Sequence, residues 1–337
     1  MTEQRVDLHK RAVQIVGAKF GLVSNTRELI FNPEFFENRS VIQCLLTDIY
    51  RVDDVPFDEE LDAYIYVYDV DDVPPTIAIT DRQIRLVGNI SQLDAQMVDR
   101  RYSLFGNLGL FFRYSLATLE RYHDIFSFHA SAMYIRDENE LVLLVGGPGV
   151  GKTCLLLEGL KRGYQMFSTE MTHIKFEGDR CLFFKGSLID NVRIGNLIYD
   201  FPEVPRLLDL ELPEVKDVWG TKVTIDLRSK ATSEDILVNP KVTLILPKIE
   251  EGRQEVIVGD ITDKRKLTKL LFDNATEKIA NTALLYETIP VGCLDSPDLM
   301  RKRLKAMERF VSGETFEIKR AKTILASPRN CLKEVLT

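Results

Sequence analysis

Apolar positions along this chain come first in short runs, then at helical spacing, and then in longer strand-like stretches. Runs at 12–16, 41–46 and 63–67, broken by Asn, Asp and Pro, make residues 1–100 a small mixed or β-rich unit. Between Ser103 and Tyr122 the apolar side chains Leu104, Leu108, Phe111, Leu119 and Tyr122 share one helical face, which predicts a connecting helix over 101–124. A second unit is expected from residue 125 to 337. It opens with a strand at 128–135, a turn at Asp137, Glu138 and Asn139, and a buried strand at 140–145 that runs into glycines.

Further strands are expected at 166–168, 173–176, 181–184, 222–227, 242–246 and 255–258, so this unit is rich in strands. A helix over about 263–286 carries Leu267, Leu271, Ile279 and Leu285 as its apolar line. The last helix has end signals: Ser296 can cap the first turn, Pro297 presets the first helical φ, and Gly313 is placed to end it. The fold class is α/β, an α+β mixture of strands and helices.

The strand-to-helix junction carries the chemistry. Gly146, Gly147, Pro148, Gly149, Val150, Gly151, Lys152 and Thr153 match G-x-x-x-x-G-K-[ST] between a hydrophobic strand and a helix expected over 152–162, ending at Gly163. In such a P-loop, glycines let successive amides point inward at phosphate oxygens, and the helix N-terminus adds partial positive charge. Lys152 is then expected on the β- and γ-phosphates of ATP or GTP, and Thr153 on magnesium (Mg2+). Cys154 follows in the same nucleotide-binding segment, as a packing residue rather than a reactive thiol.

A D-x-x-G stands at Asp217, Val218, Trp219 and Gly220, but no N-K-x-D follows, and about 145 residues precede the loop, unlike a small GTPase. A wider match runs from Phe128, His129, Ala130, Ser131, Ala132 and Met133 through the loop to Leu160, Lys161, Arg162, Gly163, Tyr164, Gln165, Met166, Phe167, Ser168, Thr169 and Glu170. Over residues 100–200 the chain resembles the HPr kinase/phosphorylase-like kinases. The resemblance implies a P-loop kinase core of the phosphoenolpyruvate carboxykinase type. It also implies transfer of the γ-phosphate of Mg-ATP to a hydroxyl, usually serine, of a protein, peptide or small molecule. Carried over, Lys152, His129 and Glu170 are the catalytic set, with Thr153 and Glu170 on the metal. Thr169 stands where the family has the Asp that accepts the hydroxyl proton, and threonine cannot act as a base near neutral pH. Phe183, Phe184, Lys185 and Gly186 keep only part of the family's E-I-R-G, which sets HPr itself aside as substrate.

Plainer readings stand beside these. Glu170 also fits a salt-bridged carboxylate at a strand end, and His129 a satisfied core histidine. His173 is read as structural, and the basic positions from Arg301 to Arg309 as a solvated helix face. Three functions remain open: a kinase, a nucleotide-binding regulatory or scaffold protein that has lost transfer, and a nucleoside triphosphate hydrolase.

Composition narrows the partners. The 337 residues carry a net charge of -7 with basic residues scattered, which argues against nucleic acid. The N-terminus has no continuous apolar core and no stretch reaches membrane-spanning length, so no membrane partner is expected. Five widely spaced cysteines suit neither a disulfide framework nor zinc, which favours a reducing, cytoplasmic setting. A homo-oligomer is expected from the family's habits.

Overall fold

The computed structural model describes residues 7–36, 48–57 and 60–330, and the run expected at 41–46 lies outside them. The chain divides into two compact units, one holding the residues up to Asp124 together with Ile279–Asp295, the other Ile125–Lys278 with the residues from Ser296 on. Both are mixed α/β, with parallel and antiparallel pairings in their sheets.

The first unit is a sheet of β1 (His9–Ile15), β2 (Ala18–Ser24), β3 (Val52–Val55), β4 (Ala63–Asp69), β5 (Thr76–Ile79) and β6 (Gln83–Gly88) in the order β3-β1-β2-β4-β6-β5. Short helices α1 (Glu28–Phe31), α2 (Pro33–Phe36) and α3 (Ile90–Gln96) accompany it, with α4 (Leu110–His123) after them. Strand alternation buries one face: Ile65 and Val67 of β4 are inside, while Tyr64 and Tyr66 are half-buried. Phe20 of β2 meets Phe111 of α4 edge-on, with ring centroids 5.1 Å apart.

The helix expected to connect the units belongs to this first unit and is shorter than its periodicity suggests. Residues 103–109 fold back tightly before it. A Cβ on Gly109 would stand 1.8 Å from the Ser103 carbonyl, so only glycine admits the turn that precedes Leu110. The helical spacing of Leu104 and Leu108 with Phe111 is therefore accidental.

In the second unit β7 (Ile125–Ile135) and β8 (Glu140–Val145) precede α5 (Lys152–Lys161), and β9 (Gln165–Ser168), β10 (Met171–Glu177) and β11 (Arg180–Phe184) follow it along the chain. A hairpin of β12 (Ile189–Arg193) and β13 (Lys222–Asp226) follows, with α6 (Val204–Leu207) between its strands. Then come β14 (Ile236–Val238), β15 (Lys241–Ile249), β16 (Ile257–Asp260) and α7 (Lys264–Ala280). The chain next gives β17 (Ala283–Leu285) and β18 (Ile289–Val291) to the first unit, and ends in α8 (Pro297–Ser312) and β19 (Ile318–Ala326). The main sheet runs β14-β11-β10-β7-β8-β15-β19-β16, with β9 also on β7, and β8 and β19 lie parallel to β15.

The second unit is thus not continuous to the C-terminus, and the helix expected to reach residue 286 stops at Ala280. Leu285 pairs with Ile289 instead, around a turn in which Tyr286 and Glu287 both have positive φ, which no helix accommodates. The end signals of α8 act as expected: the Ser296 hydroxyl accepts from the Leu299 amide and Gly313 is left-handed. Its buried line includes Arg303, which donates to Thr276 Oγ1 at 2.9 Å, so the basic stretch is not purely a solvated face. Phe310 packs edge-on against Phe128, Phe183 and Phe316 in the core. The other sheet face is the one that bears His129.

Candidate active site

The site forms where β8 ends. All six residues of β8 are buried, and the chain then turns through Gly146–Gly151 into α5. Gly151 has a φ of 98°, and a Cβ there would stand 2.2 Å from Ile249 of β15, so both conformation and space require glycine. The Ile249 amide donates to the Val150 carbonyl at 2.9 Å, which ties the loop to the neighbouring strand. Pro148 and Gly149 are exposed at the loop tip.

No side chain caps α5, so its first-turn amides, unsatisfied in any helix, face the loop. Leu155, Leu156 and Leu157 are buried along the helix, and Gly159 lies so close to β7 that a Cβ would overlap Met133. Cys154 is half-buried, and burial with Asp200 and Asp190 nearby pushes its thiol up to about 12. It is therefore no nucleophile.

Lys152 is folded under the loop. Its Nζ donates to the carbonyls of Gly146 at 2.8 Å and Gly147 at 3.1 Å, and lies 3.1 Å from His129 Nε2. Burial lowers the lysine's pKa, against the opposing charges of Glu170 and Asp190. His129, on β7, is 2% exposed, and its Nε2 also lies 3.0 Å from Glu170 Oε2. The structure therefore brings Lys152, His129 and Glu170 together.

Glu170 sits in the turn between β9 and β10. Burial on its own would raise its pKa, but the hydrogen bond with His129 and the charge of Lys152 bring it down to about 2. It is an ionised group, suited to neutralising positive charge and poorly matched to taking a proton at neutral pH. Its neighbour Thr169 is buried, and its hydroxyl lies 2.9 Å from both the Ser187 and Ile189 carbonyls. That side chain is committed to holding the turn against the segment leading into β12.

Three residues of this site escaped the sequence reading. Asp190 of β12 is buried and accepts from Thr153 Oγ1 at 3.0 Å and from the Asn191 amide at 2.7 Å. Burial, with the charge of Glu170 beside it, raises its pKa to about 6. Its signal was an acid set among apolar residues in a strand, Ile189-Asp190-Asn191-Val192. Glu277 of α7 lies 3.1 Å from His129 Nδ1, and Asn274 Nδ2 donates to the His129 carbonyl at 3.1 Å. No local pattern marks these two, because they stand 148 and 145 residues from the histidine. His173 is not part of this cluster. Its Nδ1 is 2.7 Å from Ser127 Oγ, and burial lowers its pKa to about 4.

Among the described residues no group of three His, Cys, Asp or Glu could enclose a metal. The donor set at Thr153 is hydroxyl and carboxylate, all oxygen. That fits magnesium, which uses one or two carboxylates and completes its shell with phosphate oxygens and water.

No family model matches the chain, and no curated protein matches it. Among solved structures it is similar to the HPr(Ser) kinase/phosphatase from Coxiella burnetii. That likeness has 15% identity and a TM-score of 0.22, and covers 56% of this chain and 95% of that one. This is a distant structural resemblance and carries no argument about the reaction. Among the described residues no helix is long and apolar enough to cross a membrane.

Proposed function

We propose that the chain binds a magnesium-bound nucleoside triphosphate, ATP or GTP, and transfers its γ-phosphate to a hydroxyl acceptor. The observation that carries this reading is the grouping at one strand-to-helix turn. Lys152, uncapped helix amides and the Thr153–Asp190 pair converge there on a loop whose Gly151 admits no side chain. In the ligand-bound protein Lys152 would exchange the carbonyls of Gly146 and Gly147 for phosphate oxygens, a stronger, charge-assisted contact. Thr153, Asp190 and Glu170 would hold magnesium, whose charge would neutralise the β- and γ-phosphates.

Phosphoryl transfer passes through a loose transition state, so positioning and charge neutralisation supply most of the acceleration. Transfer therefore does not require a base at position 169. The commitment of the Thr169 hydroxyl to main-chain carbonyls favours a second reading, a nucleotide-binding regulatory protein without transfer.

Calorimetry with Mg-ATP and Mg-GTP, followed by incubation with γ-labelled nucleotide and cell extract, tests both. Binding with Lys152-dependent labelling of an acceptor supports the kinase, and binding without labelling supports the regulator. If Lys152→Ala binds as tightly as the unaltered protein, the proposal is lost.

A further inference from the structure

We infer that residues 194–221, which join β12 to β13, form the docking surface for the acceptor, and that the acceptor is a protein or peptide presenting a basic segment with apolar side chains. The inference rests on the transfer reading above for what the docked molecule receives, and on the surface itself for what docks.

β12 ends at Arg193 and β13 begins at Lys222, so 28 residues stand where a hairpin needs two to five. The inner side of this segment is fixed on α5. Phe201 and Val204 are fully buried, Lys161 Nζ lies 5.7 Å from the Phe201 ring centroid, and the same ammonium pairs with Glu203 at 2.5 Å. The outer side carries an aromatic pair: Tyr199, 51% exposed, stacks on Trp219 with ring centroids 5.8 Å apart and planes at 25°. Ile198 beside it and Leu207 of α6 are exposed as well.

The pair is rigidly seated. A Cβ on Gly195 would stand 2.5 Å from the Trp219 indole, so glycine makes room for the ring. The Trp219 carbonyl accepts from Arg193 Nη1 at 2.9 Å, and the Asp217 carboxylate accepts from the Trp219 and Gly220 amides at 3.2 and 2.8 Å. The D-x-x-G at Asp217–Gly220 is thus a turn that presents the indole. Preorganised Tyr and Trp side chains left open to water are the anchors from which protein interfaces draw their affinity.

Charge selects the occupant. Six acidic and two basic residues give the segment a net charge of -4, more than half of the -7 of the whole chain. Asp209, Glu211 and Glu214 are exposed, and half-buried Leu208, Leu210 and Leu212 alternate with the first two. Such a surface repels a polyanion and complements cations set among apolar side chains. The segment begins four residues beyond Asp190, roughly 13 Å at the rise of a strand, so a docked chain reaches the Thr153–Asp190 pair within a few extended residues. There the acceptor oxygen forms its bond to the γ-phosphorus, the bond to the β–γ bridging oxygen breaks with its electron pair on the departing diphosphate, and the hydroxyl proton passes to water.

Trp219 is the one tryptophan of the chain, so intrinsic fluorescence reads this surface alone. The probes are two synthetic peptides of equal length with a central serine, one alternating Lys with Leu and the other Glu with Leu, titrated into the full chain. The Lys peptide should shift the Trp219 emission and bind at least about tenfold more tightly than the Glu peptide, with affinity falling as salt rises. Asp209→Lys, Glu211→Lys and Glu214→Lys combined should reverse that preference, and Tyr199→Ala should weaken the Lys peptide about fivefold or more. The same number of reversals at the exposed Asp71, Glu308 and Glu314 should leave it unchanged. Far-ultraviolet circular dichroism and urea midpoints verify that each variant folds. Equal affinity for the two peptides, or equal loss from the two sets of reversals, would overturn the inference. Incubation with γ-labelled Mg-ATP separates it from the transfer reading. A Lys peptide that docks and stays unlabelled leaves the surface standing and removes transfer, whereas labelling that the reversals at 209, 211 and 214 do not alter removes the surface and keeps transfer.

Discussion

At the scale of single residues, two neighbouring carboxylates have opposite fates. Glu170 is stabilised as an anion by His129 and Lys152, whereas Asp190, enclosed beside it, is held partly as the acid. A cation at Thr153 requires Asp190 ionised, so Mg-ATP affinity should rise as the pH rises through about 6 and weaken below it. Phosphate ionises in the same range. The comparison with Asp190→Asn, measured by calorimetry from pH 5 to 8, isolates the protein's share: the variant should bind more weakly at pH 8 and show a shallower slope. An equal slope in both proteins would remove Asp190 from the site.

Thr169 allows a second prediction. An aspartate in its place would press a carboxylate against the carbonyls of Ser187 and Ile189. Thr169→Asp should therefore destabilise the fold by roughly 1–3 kcal/mol, seen in urea unfolding, without raising phosphoryl transfer above that of the unaltered chain. Faster transfer in that variant would show the turn to be more adaptable than its hydrogen bonds indicate.

At the scale of elements, the loop and α5 depend on two close approaches. Gly151→Ala meets both a left-handed φ and the side chain of Ile249, and should cost about 1 kcal/mol or more in backbone conformation alone while distorting the loop. Calorimetry should then show weaker Mg-ATP binding, with far-ultraviolet circular dichroism unchanged. In α8 the cap is simpler. Ser296→Ala removes the acceptor for the Leu299 amide and should lower stability by about 1 kcal/mol in the same unfolding assay, with nucleotide affinity untouched. The paired results separate a loop that serves a ligand from a helix end that serves the fold.

At the scale of the whole molecule, a ligand held only by the folded chain must raise the melting temperature. The proposed function predicts stabilisation of about 2.7 kcal/mol at a Mg-ATP concentration one hundred times its Kd. Differential scanning calorimetry should show no such shift in Lys152→Ala.

What the sequence alone determined is local. The hairpin of β7 and β8, the glycine-lined turn, α5 with its stop near Gly163, and the capped α8 each rest on hydrogen bonds and φ preferences within a few residues. Lys152 and Thr153 could be named because they lie on that turn, and His129 and Glu170 were carried over from the resemblance to the HPr kinase/phosphorylase-like kinases. Only the tertiary structure decided what faces them. Asp190 reaches Thr153 through the hairpin of β12 and β13, and Glu277 and Asn274 reach His129 from α7. It also returned residues 279–295 to the first unit and shortened two helices whose apolar spacing continued past their ends. The physical reason is common to all of these. Burial and charge pairing between distant segments depend on which faces meet in space, and the period of a pattern along the chain carries no record of its partner.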